Sequence, residues 1–467
     1  MKYTLLLFYI MTIIAIIFIE RKRPTEALFW VLVVTLIPYF GIVLYLVFGD
    51  TLAIKITTYF RKKRLKKDLP LLIKDNEQFD ESILLSDEDK EVINFNYKYN
   101  KSKLTSYDDY QFFIDGKSHY EQLYKDIDNA KECVYVEFYT IHNDMVGHEF
   151  VKHLTEKAKE GVKVIVLCDF IANIGTPNKV FKELKKFGGE VIRIKPFITH
   201  YRSHRKLVVI DRCISYIGGM NIGKKYINIS KKKNPWRDTQ VRLIGSCSNL
   251  LNKYFLKDYL CSIKNRKLKS AINYVNTLEL IENKINNNLC QFIAGGVESN
   301  KEAIKMSYLS MIRSAKKSIL IQTPYFVPDA SILDSLKTAI ASGVDVTLTI
   351  AGVKSSFFLD PVTTYYIGQL LEYGAHIYKY NGYIHAKTMI IDDELCCIGS
   401  VNMDERSFKI DDEICGIFYE NKLVEDYKKI YMNDLKNSKE YTYKEFNDRT
   451  NLERLKEGIF LLFSPLM

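Results

Sequence analysis

The sequence predicts an α/β protein in which one module occurs twice behind an N-terminal helical hairpin. A strand–helix–glycine–strand order appears twice, the first fifty residues hold two long uncharged apolar runs, and one histidine motif recurs at the spacing of the modules. The chain has 467 residues, room for two ordinary domains or one large one, and its 47% apolar content excludes wholesale disorder. Lys plus Arg number 67 against 56 Asp plus Glu, a net +11 that suits nucleic acid, phosphate or an acidic membrane without choosing among them. The nine cysteines are scattered, form no CxxC, and include an adjacent Cys396-Cys397 that is no metal spacing. A disulfide scaffold or zinc finger is thereby disfavoured and a reducing compartment favoured.

Tyr3 to Ile19 is an uncharged, mostly apolar run of seventeen residues, and Ala27 to Phe48 is a second of twenty-two. Glu20-Arg21-Lys22-Arg23-Pro24 separates them. A hydrocarbon core about 30 Å thick takes roughly twenty such residues in a helix, so 1–50 is expected to form a transmembrane helical hairpin. No small-residue cleavage site follows the first run, which argues against a signal peptide. The length of the second argues against a buried core helix. The turn carries Arg21, Lys22 and Arg23, while the other side carries Lys2, Lys55, Arg61, Lys62, Lys63, Arg64, Lys66 and Lys67. That bias expects a cell-membrane protein with its long C-terminal part in the cytoplasm. Residues 51–110 read as a basic juxtamembrane segment and a linker with short helices. The Arg61–Lys67 cluster either sits on anionic headgroups or is simply solvated.

The first lobe is expected over 111–265. Cys133 to Tyr139 reads as a strand by composition. Gly147 to Glu160 carries Phe150, Val151, Leu154 and Ala158 at helical spacing, Gly161 ends it, and Val162 to Leu167 is a buried-strand candidate. After a linker at 266–289, a second lobe over 290–467 repeats the order. Ser318 to Ile321 is a strand, Ser331 to Ala341 a helix ended by Gly343, and Val344 to Ile350 a strand. Such βαβ units imply sheets with helices on their faces.

His204-Arg205-Lys206, Asp211, Gly218-Gly219 and Asn221 match His385-Ala386-Lys387, Asp392, Gly399-Ser400 and Asn402 as H-x-K-x4-D-x6-G-[GS]-x-N, with the histidines 181 residues apart. Leu207 to Ile210 and Thr388 to Ile391 read as strands. Side chains two apart on a strand share a face, so each His and Lys point the same way, while the Asp does not obviously join them. Two ammoniums and two amides suit the non-bridging oxygens of a phosphate. Two imidazoles can divide the labour, one attacking phosphorus and one protonating the leaving oxygen. Asp211 and Asp392, counted with the catalytic motifs, are read as strand-end or turn carboxylates. Asp238 and Glu413 each lie roughly thirty residues past a histidine and are candidates to orient it. No carboxylate cluster of metal-ligand spacing accompanies them, and neither a metal nor another cofactor is expected.

These residues resemble the phospholipase D superfamily, whose mark is the duplicated motif. The hairpin residues Glu20-Arg21-Lys22-Arg23-Pro24, Trp30, Pro38, Gly41, Tyr45-Leu46 and Phe48-Gly49 are similar to those of bacterial cardiolipin synthases. So are Asn221-Ile222-Gly223, Trp236-Arg237-Asp238-Thr239, the stretch Thr323 to Asp329, Asn402 to Phe408, and the tail Phe463-Ser464-Pro465-Leu466. The resemblance covers nearly the whole chain. It implies two similar αβα-sandwich lobes with the site at their interface. It implies His204 as the nucleophile that becomes a phosphohistidine and His385 as general acid, then base. Lys206, Lys387, Asn221 and Asn402 would hold the phosphate, and Asp238 and Glu413 would orient His204 and His385 respectively. The implied substrate is phosphatidylglycerol at an anionic membrane, with no nucleic acid. Rival readings are a phospholipase D or a phosphatidyltransferase using another alcohol or phosphatidylethanolamine, a tethered nuclease, and an inactive scaffold. Lys224, Gln240 and Gly295-Gly296-Val297 depart from the family pattern and bear on headgroup preference.

Overall fold

The computed structural model describes residues 2–21, 23–49, 51, 55–56, 58–61, 63, 86–195, 201–228, 235–278, 285–296, 302–353, 356–419 and 422–462. Of the 61–67 basic cluster, only Arg61 and Lys63 fall among them.

The first apolar run forms one helix, Lys2–Glu20, but the second divides into Pro24–Leu36 and Phe40–Phe48. The expected unbroken twenty-two-residue helix is therefore corrected to two short ones. Pro38 is the physical reason: it lacks the N–H that would continue the ladder, and its ring disfavours helical backbone one residue earlier. Ile37 leaves the helix at φ −128° and Tyr39 takes φ 63°. Among the described residues, no helix is long and apolar enough to cross a membrane. Trp30 and Tyr45 meet edge to face at 5.4 Å, and the Tyr45 hydroxyl donates to Glu20, tying the hairpin together. Phe8, Phe18, Leu32, Leu36 and Leu46 point outward and are exposed.

Two sheets carry the rest. The first has the order Asp109–Phe113, Gln240–Ile244, Ile214–Gly218, Lys206–Ile210, Cys133–Phe138, Lys163–Asp169, Glu190–Ile194. The second runs Thr105–Ser106, Leu289–Ala294, Ile414–Tyr419, Leu395–Gly399, Thr388–Ile391, Ser318–Gln322, Asp345–Ala351, His376–Tyr380, Ser438–Glu440. In each sheet a motif strand pairs antiparallel with the first strand of a parallel set of three: Lys206–Ile210 with Cys133–Phe138, and Thr388–Ile391 with Ser318–Gln322.

Alternation along the strands builds three cores. Val134, Val136, Val208 and Ile210 face the outer helices of the first lobe. Ile319, Ile321, Met389 and Ile391 do the same in the second. Tyr135, Leu207, Val209, Ile390, Cys396 and Ile398 face inward into one shared core with the helices Cys247–Ser262 and Lys422–Lys436. The lobes thus meet through a continuous apolar layer, crossed by buried polar pairs such as Arg237 with Asp434.

Both segments read as linkers contribute to the folded body. Asp87–Asn100 is a helix begun by Ser86, whose hydroxyl accepts from Asp89 N–H, and Thr105–Ser106 adds an edge strand to the second sheet. The burial of Val92 and Ile93 on that helix explains why it does not stay loose. Asn265–Thr277 is likewise helical, with Ala271 and Val275 seated in the shared core.

Candidate active site

The motif strands begin at one edge of the two sheets, and the site lies where those edges meet. Short cross-lobe pairings hold it. Ser203 bridges to Asp412, and Tyr383–Ile384 pairs in parallel with Trp236–Arg237. His204 N–H donates to the Asp412 carbonyl at 2.9 Å, and His385 N–H donates to the Arg237 carbonyl at 2.6 Å. Each histidine backbone is thereby fastened to the other lobe.

The side chains repeat the exchange. His204 Nδ1 lies 2.7 Å from Glu413 Oε1, and His385 Nδ1 lies 2.6 Å from Asp238 Oδ2. Spacing along the chain had paired His204 with Asp238 and His385 with Glu413; the structure corrects this to the opposite pairing. The reason is topological. Each carboxylate sits on the segment that crosses to the neighbouring lobe, so its nearest imidazole belongs to the other copy. Both carboxylates are fully buried. The Ser400 hydroxyl donates to the second oxygen of Glu413, and Thr239 N–H donates to Asp238 Oδ1.

Lys206 and Lys387 are buried, and each Nζ donates to the carbonyl of the histidine two residues earlier, His204 and His385. Burial pushes Lys206 down to about 7 and Lys387 down to about 8, partly countered by Glu413 and Asp238. Burial and the two ammoniums together hold His204 well below the usual imidazole range and take His385 down to about 3. Both lysines act on both rings, so the four groups face one cationic cleft. The carboxylates differ. Burial lifts Glu413 to about 8, whereas for Asp238 the His385 contact and Lys387 outweigh burial and hold it below the ordinary value.

Asn221 and Asn402 are buried at the rim. Asn221 Nδ2 donates to the Tyr226 hydroxyl and Asn402 Nδ2 to the Tyr325 hydroxyl, both at 2.9 Å. Each amide nitrogen has a second hydrogen beyond the one the tyrosine takes. Asn221 Oδ1 accepts from Thr140 N–H, while Asn402 Oδ1 is buried without a partner.

Asp211 and Asp392 do not join this centre. They lie five residues from the lysines, one residue past the ends of Lys206–Ile210 and Thr388–Ile391, roughly 16 Å away at about 3.3 Å per residue. Asp211 accepts from the N–H groups of Lys131, Glu132 and Cys133, and Asp392 from those of Lys316, Lys317 and Ser318. Their place among the catalytic residues is corrected to the strand-end role, tying down the start of the adjacent central strand. Both adopt the left-handed backbone, φ 48° and 53°.

Three neighbouring aromatic residues are given no role in the site by the sequence pattern. The Tyr139 ring stands edge-on to His204 at 4.8 Å, and Trp236 lies 5.1 Å from His385. The Tyr325 hydroxyl donates to Asp404 while holding Asn402. Tyr139 and Tyr325 follow the C-terminal ends of Cys133–Phe138 and Ser318–Gln322, the edge at which parallel sheets bind ligands. That position was the available signal.

The chain matches the family model described as "Cardiolipin synthase, PLD-like domain" over residues 123–234 and 308–435, and the model "Phospholipase D-nuclease N-terminal" over 7–49. It is 34% identical to the major cardiolipin synthase ClsA of Bacillus subtilis, over 99% of this chain and 98% of that one. It is 35% identical to the cardiolipin synthase of Oceanobacillus iheyensis, over 97% and 96%. Its fold is similar to that of the phosphatidylserine synthase of Haemophilus influenzae, with a TM-score of 0.63 at 15% identity over 80% of this chain and 98% of that one.

Proposed function

Because the chain belongs to the cardiolipin synthase family of phospholipase D-like proteins, we propose that it joins two phosphatidylglycerol molecules into cardiolipin and glycerol. The observation that carries this is the pair of buried histidine–carboxylate contacts, each built across the lobe interface and flanked by a buried lysine. Such a cleft stabilises a phosphodiester anion and offers one nitrogen on each of two rings for chemistry at phosphorus.

His204 Nε2 attacks phosphorus, and the bond to the glycerol oxygen breaks. His385 Nε2–H gives that oxygen its proton, glycerol leaves, and a phosphatidyl–His204 remains. Neutral His385 then takes the proton of a hydroxyl on a second phosphatidylglycerol. The freed oxygen attacks phosphorus, the P–N bond breaks, and its electron pair returns to His204. Lys206 and Lys387 offset the charge of the phosphoryl oxygens throughout, and the second N–H of Asn221 and of Asn402 serves the same oxygens. The unequal carboxylates support the order of roles. Ionised Asp238 favours the protonated form of His385 against the burial and the two ammoniums that take it down to about 3 in the empty site, and the anionic phosphodiester entering the cleft adds to that pull, giving the state an acid needs. Once Glu413 is ionised it fixes the proton of His204 on Nδ1, leaving Nε2 with its lone pair.

The apolar helices of residues 2–49 hold the enzyme in the cell membrane, with the catalytic lobes on the cytoplasmic side. Their uncharged runs, their exposed Phe8, Phe18, Leu32 and Leu46, and the excess of cations beyond residue 50 support this arrangement.

The test is direct. The full chain in detergent with chelator is offered phosphatidylglycerol, phosphatidylethanolamine and single-stranded DNA separately. Cardiolipin plus free glycerol is expected. Phosphatidic acid alone would mean water is the acceptor, and cut DNA a nuclease.

A pH profile follows from the empty site. kcat/KM reports the free enzyme. Ionising Glu413, raised by burial to about 8, readies His204 as pH rises. Discharging Lys206 at about 7 and Lys387 at about 8 weakens phosphate binding over the same range. The protonated fraction of His385, taken down to about 3 in the empty site, falls over the range in which Glu413 gains charge, so the two offset one another below about 8; a plateau that falls as pH rises through about 7 to 8 is expected, and a profile still rising at about pH 9 would contradict the assignment.

A further inference from the structure

The C-terminal helix Asn451–Leu461 is inside out relative to the rest of the protein. Its inward side carries an acid: Glu457 is buried and pairs with Arg449 at 2.5 Å. Its outward side carries Leu452, Leu455 and Ile459, which are 75%, 61% and 47% exposed, with Leu462 at 69% one residue beyond. Residues 452, 455, 459 and 462 share one face at three- and four-residue spacing. Phe460 joins Phe357 and Phe358 in a cluster of three rings, with centroids 5.2, 5.1 and 5.4 Å apart, and the last two are 65% and 54% exposed. Lys456 Nζ stands 4.2 Å from the Phe357 ring centre. A contiguous outward apolar surface of this kind marks a contact with something apolar.

Its place in the fold identifies the contact. Phe357 and Phe358 lie just past the C-terminal end of Asp345–Ala351. The parallel neighbours end at the same edge: Ser318–Gln322 leads to Tyr325, which holds Asn402, and His376–Tyr380 leads to Tyr383 and His385. Gly352 N–H donates to the Gly382 carbonyl at 3.2 Å, joining these loops. Arg61 reaches this edge too, paired at 3.0 Å with Asp412 next to Glu413. The apolar N-terminal helices therefore lead into the body on the side of the catalytic cleft.

We infer that the Leu452–Leu462 stripe and the Phe357–Phe358–Phe460 cluster form a second membrane-contacting surface, separate from the N-terminal helices, that seats in an anionic phospholipid bilayer and sets the cleft mouth against it. The stripe and the rings take the acyl-chain level, and Lys456 keeps its ammonium at the headgroups. An enzyme held only by its N-terminal helices would be free to swing its cleft away from lipid, and a second contact at the cleft edge removes that freedom. The inference rests on the lipid-substrate reading of the site.

The test uses the full chain in vesicles of equimolar phosphatidylcholine and phosphatidylglycerol. Leu452→Asp, Leu455→Asp and Ile459→Asp together should lower kcat/KM for vesicular phosphatidylglycerol about tenfold or more. Turnover of a short-chain phosphatidylglycerol dissolved below its micellar concentration should stay within about twofold of wild type, because the three side chains are exposed and make no contact with the histidines or their carboxylates. Independently, Leu455→Trp should add a fluorescence component quenched by brominated acyl chains, beyond the contribution of the two native tryptophans. Equal losses on both lipids would assign the stripe a structural role and overturn the inference. So would an unquenched tryptophan, or a triple variant that goes from dimer to monomer while keeping vesicular activity. Quenching in a protein that acts on no phosphatidylglycerol in either form would leave the surface standing and remove the substrate reading instead.

Discussion

On the proposed assignment of roles, replacing His204 with alanine abolishes glycerol release from phosphatidylglycerol, a loss of about 10⁴-fold or more, because the ring that forms the covalent intermediate is gone. Replacing His385 costs about 10²–10⁴-fold, the usual worth of a positioned general acid. A substrate with a better leaving group separates the two. Phosphatidyl-p-nitrophenol expels a phenolate that needs no proton, so His385→Ala releases one equivalent in a burst at close to the wild-type rate while His204→Ala remains inactive. The His385→Ala protein then holds its phosphatidyl group, since its acceptor hydroxyl lacks a base, and intact-mass measurement detects the adduct. The reverse pattern would interchange the roles of the two rings. The expectation rests on geometry as well as charge: each Nδ1 is within 2.7 Å of a buried carboxylate, which turns the other nitrogen toward the cleft.

Arg205→Met destabilises the protein by about 3–5 kcal/mol, the cost of leaving a buried carboxylate without its partner. The guanidinium is buried beneath the motif. Its Nη1 pairs with Asp258, its Nη2 donates to the Gly295 carbonyl at 2.7 Å, and its Nε donates to the Glu413 carbonyl at 3.1 Å. Asp258 is itself fully buried on the helix Cys247–Ser262. Thermal unfolding in detergent should show a clear fall for Arg205→Met. The double variant Arg205→Met, Asp258→Leu should recover most of it, because a buried ion pair can be exchanged for apolar groups far more cheaply than it can be halved. Activity should not recover with stability, since the Glu413 backbone would still lack its Nε donor. A single variant as stable as wild type would contradict this account.

The module order, the motif strands and the chemical character of the site were readable because each depends on local signals: alternation, glycine at helix ends, and a repeated spacing. Thr388–Ile391 begins and ends where its composition says. What escaped depends on chain partners distant in sequence. Arg205 looked like a variable position between His and Lys, yet it joins three segments that only the fold brings together. The exchange of Asp238 and Glu413 was hidden for the same reason, because distance along the chain ranks each histidine's own copy first. Within 24–48, counting apolar residues outweighed one proline, and Pro38 decided the local geometry. The 87–106 segment read as linker because its surface is acidic, while Val92, Ile93 and Leu104 are buried and Asn96 and Ser102 hydrogen-bond to the second lobe.

The crossed carboxylates have a consequence for how the enzyme comes into being. During synthesis the first half of the chain leaves the ribosome with His204 but without Glu413, and its own Asp238 waits for a ring not yet made. A nascent or truncated half holds neither histidine–carboxylate pair, and both pairs are completed only when the two halves have closed on one another.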